Sequence, residues 1–177
     1  MNKTNIKQHL RRAFVALAAV GALLALPLAD ASPGEASGTV DGCATVLPDV
    51  SYRGNLEIDT GPITQTFTGT FTGTWIATEM DEIPPHGEDI AHLSGVFTGT
   101  VDGSPIGTAV FTGTGIGTPG RMSLQVIVGQ GTGGLAGLHA NLTYGVPTFF
   151  CDPSTPCPPP CLFEVIANYA GLYQFGP

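Results

Sequence analysis

From Ile63 to Glu79 the chain reads ITQTFTGTFTGTWIATE, with Phe67, Gly69, Phe71, Gly73 and Trp75 at odd positions and threonine at nearly every even one. Successive side chains of a β-strand point to opposite faces, so a period of two that sets rings against β-branched hydroxyls describes a strand with one face in a core and the other in water. At roughly 3.3 Å per residue the run would extend some 50 Å, well beyond ordinary strand length, so it must bend or break. Gly69 and Gly73 are the places where it can. The tetrad FTGT returns at Phe97 to Thr100 and at Phe111 to Thr114, at intervals too irregular for stacked solenoid coils. The pattern therefore reads as recurring chemistry in neighbouring strands, where the rings of one strand settle over the glycines of the next.

Alternation of the same kind marks 50–58, 92–102, 106–116, 121–128, 139–144, 149–151 and 162–175, separated by turn-forming clusters at Asp59-Thr60-Gly61-Pro62, Asp102-Gly103-Ser104-Pro105 and Thr118-Pro119-Gly120. With 63–78 counted as one or two strands, the expectation is an all-β fold: an antiparallel closed barrel of about eight strands. Closure hides the edges that threonine-rich strands would otherwise offer for aggregation. An outer-membrane barrel needs a lipid-facing apolar band, and these strands carry threonine on their second face.

Residues 1–31 have the form of an export signal: Lys3, Lys7, Arg11 and Arg12, an apolar run from Ala13 to Leu28, then Ala29-Asp30-Ala31 before the expected cleavage at Ser32. The run is too short for a bilayer span, so no membrane insertion follows cleavage. Arg11-Arg12-Ala13-Phe14-Val15 has the core of a twin-arginine signal without its flanks, which leaves the general secretory route equally open. Residues 32–42 read as a flexible leader and 43–177 as a single barrel domain. Four of the six basic residues fall before Ser32, leaving Arg53 and Arg121 against thirteen of the fourteen acidic residues. A secreted or periplasmic chain this acidic repels phosphate backbones, which excludes nucleic acid as a partner.

Cys43, Cys151, Cys157 and Cys161 all lie in the exported part, where two disulfides are expected. An extended Pro158-Pro159-Pro160 would hold Cys157 and Cys161 about 12 Å apart, too far for a bridge. Cys43 then joins Cys157 or Cys161 and Cys151 takes the other; Cys151 to Cys161 is preferred because it brackets the loop between two strand ends. Neither these cysteines nor the histidines have a zinc spacing, so neither a metal nor another cofactor is implied.

The segment Met80 to Ala91 gathers Asp81, Glu82, His86, Glu88 and Asp89, flanked by Glu79 and His92, without EF-hand spacing, and reads as a solvated acidic hairpin loop. The glycine-rich Gly129 to Leu138 lacks both the GK[ST] ending of a phosphate loop and the dinucleotide spacing. It reads as a tight turn whose Leu135 and Leu138 plug one end of a core.

The G-x-F-T-G-T strands, the TVDG turn and above all GTGGLAGLHA at Gly131 to Ala140 resemble the allene oxide cyclase-like barrel families, which include plant cyclases, dirigent proteins and bacterial relatives. The likeness covers about residues 67–145, with Ala140 in place of the motif's final glycine. It implies a closed eight-strand barrel with an apolar interior that holds a substrate in one conformation, and none of those families' catalytic residues is matched here. Three functions are then open. The barrel binds a small apolar molecule in a cavity lined by Phe67, Phe71, Trp75, Phe97 and Phe111. Alternatively it is a cyclase or isomerase using Tyr52, Glu57, His139 or Glu164, or an interaction protein presenting the threonine face of Thr64 to Thr74.

Overall fold

A computed structural model of the protein describes residues 32–118, 121–152, 154 and 157–176. The expected export signal and the Pro119-Gly120 part of one turn lie outside them. Among the described residues there are ten strands and no helix: β1 (Gly34–Ala44), β2 (Asp49–Arg53), β3 (Leu56–Gly69), β4 (Phe71–Ile83), β5 (Asp89–Val101), β6 (Gly107–Gly117), β7 (Ser123–Gly133), β8 (Leu138–Tyr144), β9 (Phe149–Cys151) and β10 (Phe163–Phe175). Antiparallel pairing runs β1-β10-β8-β7-β6-β5-β4-β3, and β1 also pairs with β3, which closes a barrel of eight strands. β2 extends the pairing along the first half of β3, and β9 along the first residues of β10.

The strands depart from the sequence reading in several places. The supposed leader is β1, whose Ala36, Val40 and Gly42 turn inward while Glu35, Ser37, Thr39 and Asp41 face water. Its inward side chains are too small to announce a core strand, yet it pairs along its whole length with β10, from Gly34 opposite Tyr173 to Ala44 opposite Phe163. The expected turn at Asp59 to Pro62 is instead the middle of β3, and the chain turns earlier, at Gly54-Asn55. Pro62 is tolerated because β2 pairs with β3 only as far as Thr60 and β1 only from Thr64, so proline occupies the gap where no N–H is needed on that side. The long run 63–78 does break, at a corner where Gly69 has a φ of 107°. Tyr169 pins that corner: its hydroxyl accepts from Phe71 N–H at 2.9 Å and donates to Thr68 O at 3.2 Å.

The alternation otherwise holds. Phe67, Phe71, Trp75, Phe97 and Phe111 face inward and are essentially inaccessible to solvent. The threonines opposite them face out and pair across strands, Thr39 with Thr68 at 2.6 Å and Thr108 with Thr132 at 2.7 Å. The expected turn over Gly129 to Leu138 is shorter than read, since β7 runs to Gly133 and β8 begins at Leu138; Leu135, in the turn, and Leu138 are both fully buried in the core.

Candidate functional site

The five rings expected to line a cavity fill one instead. Phe67 meets Phe97 and Phe111 edge-on at 5.6 and 5.8 Å, Phe97 and Phe111 stack at 4.8 Å, and Trp75 leans on Phe111 at 5.6 Å. The glycines between them are occupied space: a Cβ on Gly99 would sit 2.7 Å from Cζ of Phe97. Alternating ring and glycine thus encodes interdigitation, and this half of the barrel is solid.

The open volume lies at the other end, where Gly61 and Ala167 are among the small residues that line it. A cavity of about 530 Å³ opens there, within the range of small-molecule sites. Its walls are largely aliphatic, with Val40, Ile63, Leu93, Leu124 and Val165 among them, and Val46, Leu47, Phe150 and Phe163 stand around the mouth. Deeper in, Tyr144 donates its hydroxyl proton to Gln65 Oε1 at 3.0 Å, and its ring packs 6.1 Å from Phe67. Both are buried, so this polar pair separates cavity from solid core. Burial, with the nearby Tyr169, pushes the Tyr144 phenol well above its usual range.

Five carboxylates break the apolar wall, Asp152 beside Cys151 and a group of four on β3, β4 and β5. Asp59 on β3 lies directly opposite Asp81 on β4, Glu79 is two residues from Asp81 on the same face, and Asp89 opens β5. Burial first, then the charge of Asp81, raises the Glu79 carboxyl to about 8. Burial, then Asp59 and Asp89, raises Asp81 to about 6. Asp59 is raised by burial and by Glu57, and Asp89 by burial alone. Among the described residues every charge acting on the four is another carboxylate, and Asp59 Oδ1 is shut from solvent with no hydrogen-bond partner.

The segment Met80 to Ala91 is therefore not wholly a solvated loop. Strand structure runs to Ile83 and resumes at Asp89, which leaves Pro84 to Glu88 as the connection, exposed from Pro85 onward. These acidic residues were legible by phase, since Glu79 and Asp81 continue the odd-numbered face of Trp75, Asp89 shares the phase of Leu93 and Phe97, and Asp59 that of Phe67. Among the described residues no three His, Cys, Asp or Glu side chains stand together as metal ligands. Tyr52, Glu57, His139 and Glu164 do not line the cavity; Tyr52 and His139 are exposed.

Both disulfides form near the mouth, as Cys43–Cys161 and Cys151–Cys157. The preferred pairing of Cys151 with Cys161 is overturned by the β1–β10 ladder: Leu162 N–H donates to Ala44 O at 2.8 Å, which sets Cys161 beside Cys43. The triproline also turns rather than extends, with Cys161 N–H donating to Pro158 O at 3.1 Å.

These features define a class, a small closed β-barrel solid at one end and hollow at the other. A crystal structure of a protein of unknown function from the DUF3224 family of Shewanella oneidensis MR-1 shares the fold, with a TM-score of 0.62 over 82% of this chain and 99% of that one, at 18% identity. At that identity the likeness is one of fold. No family model and no curated protein matches the chain. The barrel is the one the sequence resemblance implied, while the allene oxide cyclase-like name finds no support in these comparisons.

Proposed function

We propose that the protein is an exported carrier or sensor that binds a small, mainly apolar molecule in the hollow end of its barrel. The observation that carries this reading is the cavity of about 530 Å³, walled by aliphatic side chains and set against a rigid floor of packed rings. Export rests on the basic, apolar and small-residue pattern of residues 1–31 and on two disulfides that suit an oxidising compartment. Native mass spectrometry of protein purified from its own source should find a co-purifying organic molecule. Ala167→Phe, which fills the cavity from β10, should abolish its retention while leaving the fold intact by circular dichroism. Equal retention by this variant would place the ligand elsewhere, and no ligand in either protein would turn attention to the outward threonines.

A second reading has its own observation. A carboxyl held near 8 inside an apolar cavity, as Glu79 is, titrates where a general acid or base works best, which suits a cyclase or isomerase acting on an apolar substrate. Under this reading the co-purified molecule should be converted during incubation, and Glu79→Gln should stop the conversion without preventing binding.

A further inference from the structure

The carboxylates make the cavity more specific than a greasy pocket. Asp59, Glu79, Asp81 and Asp89 line one side of a largely aliphatic wall, Asp59 and Asp81 sit at directly opposed register positions, and Asp59 Oδ1 is shut from solvent with no hydrogen-bond donor among the described residues. Like charges facing each other across two strands destabilise the sheet, and a buried acceptor without a donor carries a further cost. The described chain supplies no compensating cation: its cationic side chains of fixed charge are Arg53 and Arg121, and neither lines the cavity.

We propose, building on the cavity-binding reading above, that the ligand is a primary-ammonium amphiphile whose apolar body fills the cavity and whose head sits at the opposed pair Asp59 and Asp81, beside Glu79. A primary ammonium brings three donors and a positive charge on a compact centre, which satisfies the orphaned Asp59 oxygen and neutralises the opposed pair with charge-assisted hydrogen bonds. A fatty carboxylate would add a further negative charge to the same wall, and a neutral alcohol would leave most of the repulsion in place. A bare divalent cation finds no group of three ligands among the described residues and nothing to match the aliphatic walls.

The test is isothermal titration calorimetry of the disulfide-intact protein at pH 7 with n-octylammonium, n-octanol and n-octanoate, repeated in two buffers of different ionisation enthalpy. The ammonium should bind at least tenfold more tightly than the alcohol, the carboxylate should be weakest, and ammonium binding should release protons as Glu79 ionises to meet it. Glu79→Gln with Asp81→Asn should bring the ammonium down to the affinity of the alcohol while alcohol binding stays unchanged, which also reports an intact cavity. Equal binding of all three probes by the parent protein, or undiminished ammonium selectivity in the double variant, would overturn the cationic head and leave apolar binding standing. Failure of all three probes to bind the parent protein would instead remove the cavity-binding reading itself.

Discussion

At the residue scale the Gln65–Tyr144 hydrogen bond shows how finely the boundary between solid and hollow barrel is set. Both side chains are buried, and the phenol of Tyr144 is the donor that Gln65 Oε1 receives at 3.0 Å. Tyr144→Phe removes that donor and strands a buried acceptor beneath the cavity, so it should cost about 1–3 kcal/mol in denaturant unfolding. Gln65→Met combined with Tyr144→Phe removes both partners and should recover much of that loss, a non-additivity read directly from a double-mutant cycle. Additive losses would mean that the two side chains are not coupled and that the hydrogen bond contributes little. The core that this pair borders was written plainly in the sequence, because aromatic residues at alternate positions have few stable places other than a barrel interior. The open end was not, because glycine and alanine mark either a tight approach of strands or an empty space, and only the side chains facing them decide which. Gly99 lies under Phe97 and is filled, whereas Ala167 lines the cavity.

Elements were legible in proportion to the bulk of their inward residues. β5 and β6 carry Phe97 and Phe111 into the core and fall close to where alternation placed them; β7 carries Val126 inward but runs past its expected end into the glycine-rich segment, to Gly133, and β1 carries Ala36, Val40 and Gly42 and was read as a leader. Turn chemistry misled at Pro62, where a proline inside a strand is permitted by a gap between two short neighbours that no local sequence reveals. The disulfides then fasten the weakly marked element to the rest. Cys43–Cys161 spans 118 residues and ties the end of β1 to the approach of β10, while Cys151–Cys157 spans 6. Loop-closure entropy gives about 4–5 kcal/mol for the first and about 2 kcal/mol for the second. Replacing Cys43 and Cys161 by serine should therefore lower unfolding stability clearly more than replacing Cys151 and Cys157, and should raise amide exchange in β1 first. A larger loss from the short loop would show that the mouth, not closure of the barrel by β1, limits stability.

For the whole molecule, charge and cavity combine in one pH-dependent balance. Glu79 and Asp81 hold their protons to about 8 and about 6 in the folded barrel, whereas in the unfolded chain they titrate near 4.5 and 3.8. The folded state therefore binds more protons than the unfolded state between those limits, and stability must fall as pH rises through them. The contribution is fully present below about pH 4, is eroded as Asp81 ionises near 6, and is lost as Glu79 ionises near 8. The melting temperature of the ligand-free protein should accordingly decline steadily from pH 5 to pH 8.5, opposite to the behaviour of a protein whose carboxylates are paired with cations. Glu79→Gln removes the later step, so this variant should match the parent near pH 5 and exceed it at pH 8.5. A profile that is flat or rising over this range in the parent would show the cavity carboxyls to be already ionised and solvated in the folded state, and the open end of the barrel to be wetter than its aliphatic walls imply.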